Sequence, residues 1–141
     1  MRKIILASHG NLAEGMLHAA TVIAGVQENL SAYGMEKYES PEGIYDALYS
    51  TIQNNAEDEY VIICDIRGGS VHNKLVEYCV YENVCVVTGM NLGLVLELIF
   101  ADSELTMKEA VLEAMKSSKD SMEYIDKEII KHKDAKEDEL W

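Results

Sequence analysis

The chain has 141 residues, a length suited to one domain with a core of ordinary size. Apolar residues make up 48% and charged residues 26%, a globular composition rather than a disordered or fibrous one. Asp and Glu number 25 against 12 Lys and Arg, a formal net charge of −13 that argues against nucleic acid or an anionic membrane surface as partner, since both bind basic patches. No apolar run approaches the roughly 18 residues of a membrane span. The apolar start reaches Ser8-His9 too soon for a secretory signal, so a cytoplasmic protein is expected. Cys64, Cys79 and Cys85 are odd in number, sit in apolar surroundings and lack metal-ligand spacing. They are expected to be buried free thiols, and no metal site is expected.

In chain order, residues 3–8 form an apolar run that reads as a strand. Residues 11–24 have helical periodicity, with Leu12, Met16, Leu17, Ala20, Ile23 and Ala24 on one face and Gly25 as the stop. Residues 29–35 are a weaker strand. Ser40-Pro41 supplies a cap and a first-turn proline for a helix that turns Ile44, Leu48 and Ile52 inward. Residues 60–65 are continuously apolar and β-branched, as in a strand covered on both faces. Gly68-Gly69 breaks this run, and Ser70 can cap a helix to about residue 81. Residues 83–88 give a fourth strand. Residues 91–101 are apolar almost all round, the mark of a deeply buried or interface helix.

Thr106 and Glu109 have capping-box spacing for a helix with Ala110, Val111, Ala114 and Met115 inward. Residues 122–130 suit either a terminal helix or an edge strand, and residues 131–141 read as a charged tail. The eight tyrosines, including Tyr45 and Tyr49 four apart on one helix, read as packing or interface residues rather than a base-stacking platform.

The alternation predicts an α/β fold: a three-layer α/β/α sandwich on a mainly parallel sheet with right-handed crossovers. With strand order 2-1-3-4 the switch point lies between strands one and three, and function gathers at their C-terminal ends. His9 stands at one end and Asp65 at the other, on strands about 4.8 Å apart. A carboxylate that accepts from Nδ1–H fixes the imidazole tautomer and leaves Nε2 as a nucleophile. Gly68, Gly69 and Ser70 open the next helix, where the backbone N–H groups of Gly69, Ser70 and Val71 and the Ser70 hydroxyl can meet an anion.

Each signal alone has a structural reading: a strand-end histidine, an Asx turn at Asp65, a glycine loop. Their convergence on one point describes a transient phosphohistidine site needing no cofactor. Arg67 either pairs with Asp65 or faces the phosphoryl group. His72 is expected as a neutral rim residue, with a second relay histidine as the alternative, and Asn91 is a further rim residue. His18 is expected to be solvated.

At these residues the sequence resembles the enzyme IIA component of the mannose family of the bacterial phosphoenolpyruvate-dependent sugar phosphotransferase system. The matching segments are ASHGNLAEGM (residues 7–16), CDIRGGS with Asn73 following (residues 64–73) and TGMNLGLVLEL (residues 88–98). The resemblance implies a phosphotransfer domain over residues 1–130. In it His9 accepts a phosphoryl group from the histidine-containing phosphocarrier protein and passes it to a IIB component for sugar uptake. Asp65 would orient His9, and Ser70 with Gly69 and Gly68 would hold the phosphoryl group. Membrane IIC and IID components would be reached only through IIB.

The resemblance also implies a homodimer with an antiparallel edge strand given across the interface, for which residues 122–130 are the candidate. The sequence departs from the family pattern at Val71-His72, Gly93 and Arg67, on the rim of the site. The phosphotransfer subunit of a dihydroxyacetone kinase is a related alternative, as is a non-catalytic regulatory module of the same fold.

Overall fold

The computed structural model describes the backbone of residues 1–139 and the side chains of residues 1–136. Four apolar runs become strands: β1 (Arg2–Ser8), β2 (Leu30–Gly34), β3 (Glu59–Cys64) and β4 (Val84–Thr88). They form one sheet in the order β2-β1-β3-β4 with every pair parallel. The helices are α1 (Leu12–Ala24), α2 (Met35–Tyr38), α3 (Pro41–Asn54), α4 (Ser70–Leu75), α5 (Leu92–Ile99), α6 (Met107–Asp120) and α7 (Lys127–Glu139).

Alternate residues of the central strands face opposite layers, as the two-residue strand period requires. Ile4, Leu6, Val61 and Ile63 pack beneath α1, α5 and α6 through Ala13, Ala20, Leu94, Val95, Leu98, Val111 and Ala114. Ile5, Ala7, Tyr60, Ile62 and Cys64 pack beneath α3 and α4 through Ile44, Leu48, Ile52, Val71 and Leu75. Each large aliphatic side chain fully buried here contributes about 1.5–3 kcal/mol relative to exposure. Tyr78 stacks on Tyr45 with ring centroids 4.3 Å apart and donates its hydroxyl to the Tyr45 carbonyl at 2.6 Å, so this pair packs, whereas Tyr49 and Tyr124 are exposed.

Local signals set the helix starts. The Ser40 hydroxyl accepts the Gly43 N–H ahead of Pro41, and Thr106 and Glu109 form the expected capping box. Several expectations are corrected. The apolar arc of α1 is wider than its contact with the sheet, so Leu12 and Ile23, expected inward, are exposed, whereas Ala13 and Ala20 are buried. Cys79 is exposed rather than buried, because it lies in a tight 3-10 turn (Val76–Val80) into which α4 passes. Ser70 is the first residue of α4 and not its cap, which is Gly69.

No edge strand forms among the described residues: residues 122–126 are irregular, and α7 begins at Lys127. The Asp126 carboxylate accepts the Ile129 N–H and starts that helix, which carries the stretch expected as a charged tail as far as Glu139. Leu140 and Trp141, also in that stretch, lie outside the described residues. Among the described residues no helix is long and apolar enough to cross a membrane.

Candidate active site

β1 and β3 are neighbours in register, with Ala7 opposite Cys64, so both chains leave the sheet at the same level. Ser8 is fully buried, and its Oγ accepts the Ala13 N–H at 2.7 Å, tying the strand end to the start of α1. The chain between them turns outward and carries His9 to the surface, where its side chain is 46% exposed while that of Asp65 is 9% exposed.

The two residues meet twice. The His9 backbone N–H donates to Asp65 Oδ2 at 2.8 Å, and His9 Nδ1 lies 2.7 Å from the same oxygen. Asp65 Oδ1 accepts the Ile66 N–H at 3.0 Å. Burial works to raise the Asp65 pKa. The bonds from the His9 N–H and ring and from Ile66 outweigh it and hold the carboxyl below the usual carboxylate range. An ionised carboxylate only accepts, so it assigns the proton to Nδ1 and leaves a lone pair on Nε2. Ser70 Oγ lies 3.2 Å from that Nε2, so its hydroxyl is the donor.

Ser70 reaches the ring because the residue before it has no side chain. A Cβ on Gly69 would come 2.8 Å from Ile66 Cγ2 and 3.3 Å from His9 Cε1. Gly69 also occupies the cap position of α4 without a capping side chain. The Gly69 N–H, expected as an anion donor, is instead directed back to the Ile66 carbonyl at 3.3 Å. Gly68 differs from expectation: its N–H donates to His72 Nδ1 at 2.9 Å and is therefore turned away from the cleft. That bond needs the Nδ1 lone pair, so His72 braces the loop as a neutral ring.

Arg67 is exposed and forms no ion pair among the described residues. Of its two expected roles, the pairing with Asp65 is not formed, because His9 already engages that carboxylate. Asn91 caps α5 instead of facing the cleft. Its Oδ1 accepts the Leu94 N–H at 2.9 Å and the Ser118 hydroxyl at 2.8 Å, and its amide donates to the Gly89 carbonyl at 3.0 Å. His18 is exposed on α1.

Sequence reasoning missed the support given by Ser8 and by Glu14, whose Oε1 accepts the Gly34 N–H at 2.9 Å. A serine directly before the strand-end histidine and an acid in the first turn of α1 were the available signals. The assembled group has one nucleophilic nitrogen, an anionic partner behind it and a hydroxyl in front. That arrangement suits transfer of an electrophilic group onto and off Nε2.

Comparison with known proteins gives concordant results. Residues 3–115 match the family described as EIIA-man, PTS system fructose IIA component. The chain is 23% identical over 146 residues to the PTS system fructose-specific EIIA component of Bacillus subtilis, covering 99% of this chain and 100% of the relative. Among solved structures it is similar to a candidate phosphoenolpyruvate-dependent sugar phosphotransferase system permease from Klebsiella pneumoniae. The TM-score is 0.82 at 29% identity, with 91% of this chain and 93% of the other covered. It also shares its fold with the mannose/sorbose specific IIA subunit from Enterococcus faecalis, at a TM-score of 0.74 and 23% identity, covering 89% and 95% of the two chains.

Proposed function

Since the chain belongs to the PTS system fructose IIA component family, we propose that it relays a phosphoryl group through His9, from the histidine-containing phosphocarrier protein to a IIB component that phosphorylates sugar during uptake. The observation that carries this reading is the division of labour on one imidazole: Asp65 holds Nδ1, and Nε2 is presented to Ser70 at the mouth of the cleft. The Nε2 lone pair attacks the phosphorus on the carrier histidine. The Nε2–P bond forms, the carrier's N–P bond breaks, and its electron pair returns to the carrier ring. Nδ1 keeps its proton throughout, so phosphorylated His9 carries ring charge that the Asp65 carboxylate stabilises.

The Ser70 hydroxyl, released from the lone pair, donates to a phosphoryl oxygen, and the open N–H groups at the start of α4 add further donors. Transfer to IIB reverses these steps. No cofactor beyond the transient phosphoryl group is needed, and the relay works in the cytoplasm, meeting the membrane IIC and IID components only through IIB.

We also propose a homodimer. Among the described residues β4 is paired on one side only, and Met122, Tyr124 and Ile125 are exposed just after α6. A groove of ≈ 540 Å³ at the end of β4, lined in part by Met90, Leu94, Met115 and Met122, adjoins them. A second copy is the occupant that covers these surfaces.

Incubation with phosphoenolpyruvate, enzyme I and the phosphocarrier tests the relay. One acid-labile, alkali-stable phosphate per chain is expected, absent from His9→Ala. Label retained by His9→Ala overturns the assignment.

A further inference from the structure

One of the carboxylates that the phosphoryl chemistry does not use lies on the far side of the turn that carries His9. Glu14 sits in the first turn of α1 and reaches across to β2, where its Oε1 accepts the Gly34 N–H at 2.9 Å. A carboxylate that accepts a backbone N–H makes a charge-assisted bond, stronger than a neutral one. The other oxygen, Oε2, is buried without a hydrogen-bond partner among the described residues. A buried acceptor left unmatched is costly and uncommon, so its placement calls for a physical cause.

Gly34 supplies the cause. It is the last residue of β2 and stands in register with Ser8, the residue before His9. A Cβ on Gly34 would overlap both Glu14 carboxylate oxygens and come 2.5 Å from the Gly10 carbonyl oxygen. The volume a side chain would fill is thus taken by the Glu14 carboxylate and by the turn next to His9. Gly10 has a positive φ of 50°, so this turn leaves the sheet through a left-handed residue that the β ladder does not hold.

We infer that Glu14 is a positioning residue for His9: together with Gly34 it latches the His9–Gly10 turn to the end of β2. The inference rests on the reading of His9 as the phosphoryl acceptor. Asp65 holds His9 from the β3 side through the backbone N–H and the ring. The latch holds the same turn from the β2 side, so His9 is fixed from both neighbouring strands. A reacting group displaced by about 1 Å can lose up to about a hundredfold in rate, which gives a second anchor a kinetic consequence.

The test compares Glu14→Gln, Glu14→Ala and Gly34→Ala in the full chain. The readouts are the imidazole ¹⁵N signals of unphosphorylated His9, the rate at which the phosphocarrier loads His9, and thermal stability. Glu14→Gln keeps an acceptor for Gly34 and adds an N–H donor to the gap shared with the Gly10 carbonyl. It is expected to load within about twofold of the parent. Glu14→Ala and Gly34→Ala are expected to shift the His9 nitrogen signals and to slow loading by about tenfold or more.

His9 signals and loading unchanged in Glu14→Ala, whatever its melting temperature, would overturn the inference. So would a Glu14→Gln chain as impaired as Glu14→Ala. Should Glu14→Ala not fold, Glu14→Asp, with its carboxylate drawn back by one methylene, takes its place under the same expectations. The nitrogen signals need no phosphocarrier. A parent chain that takes no phosphate would therefore refute the relay and leave the latch to be decided by those signals.

Discussion

The ends of β3 and β4 share one plan: a strand, a glycine-containing loop and the start of a helix. After β4 the polar side chain is spent on the scaffold, since Asn91 caps α5 and bonds Ser118 and Gly89. After β3 the cap position is Gly69, with no side chain to give, and the next residue, Ser70, points its hydroxyl at His9 Nε2. The contrast separates scaffold from chemistry. A polar group whose bonds all go to its own loop and helix start and to the neighbouring helix holds the scaffold in place. A polar group whose partner comes from a distant strand, and which leaves one nitrogen lone pair at the surface, forms a site.

The largest effect that would break this contrast at the β3 end is expected for Asp65→Asn. The amide no longer selects the Nδ1–H tautomer or supports a charged ring, so loading of His9 should fall on the order of a hundredfold with the fold retained. Loading at the parent rate would mean that the Asp65 contact is only structural. The same carboxylate carries a pH signature. Its folded pKa lies below the unfolded value of about 3.9. Its contribution to stability is therefore fully present above that unfolded value and is lost as pH falls through the lower folded value. A ¹³C titration of the Asp65 carboxyl should give a midpoint below about 3.9; a midpoint above it contradicts the geometry.

Ser70→Ala removes the bond to a phosphoryl oxygen and, before transfer, the bond to Nε2 that offsets it; a net loss of about 0.5–1.5 kcal/mol should slow loading by about two- to tenfold. Asn91→Ala sharpens the comparison from the other end. It should cost about 1–2 kcal/mol in denaturant unfolding through the lost cap and leave loading per folded molecule unchanged. A loading defect in Asn91→Ala equal to that of Ser70→Ala would erase the distinction between the two strand ends.

What the sequence discloses depends on how local the cause is. The Ser40-Pro41 start and the Thr106/Glu109 box are set within three residues and are legible directly. His9 and Asp65 are 56 residues apart, yet their meeting is also legible, because parallel strands joined by right-handed crossovers bring their C-terminal ends to one edge. The extent to which α1 is covered is not legible. Its apolar arc includes Leu12 and Ile23, and only packing against the sheet and α5 decides that Ala13 and Ala20 fill the contact.

The role of Ser70 is similarly obscured. A serine after Gly-Gly reads as a cap, and only the close approach of Gly69 to the His9 ring moves it one residue into the helix. The Glu14–Gly34 contact depends on the register of β1 against β2, and the pairing of Ser8 with Gly34 is fixed by the whole ladder rather than by any short motif. For Arg67, the sequence offered Asp65 as one of two partners, but the fold gives that carboxylate to His9.

The central claim is that Asp65 reserves Nδ1 of His9 and leaves Nε2 to react. The most direct measurement is the identity of the phosphorylated nitrogen, from long-range ¹H–¹⁵N correlation spectra of the protein after loading by phosphoenolpyruvate, enzyme I and the phosphocarrier. The account predicts a single phosphorylated histidine, His9, with phosphorus on Nε2 and a proton retained on Nδ1. Phosphorus on Nδ1 of His9, or on His72, would contradict it.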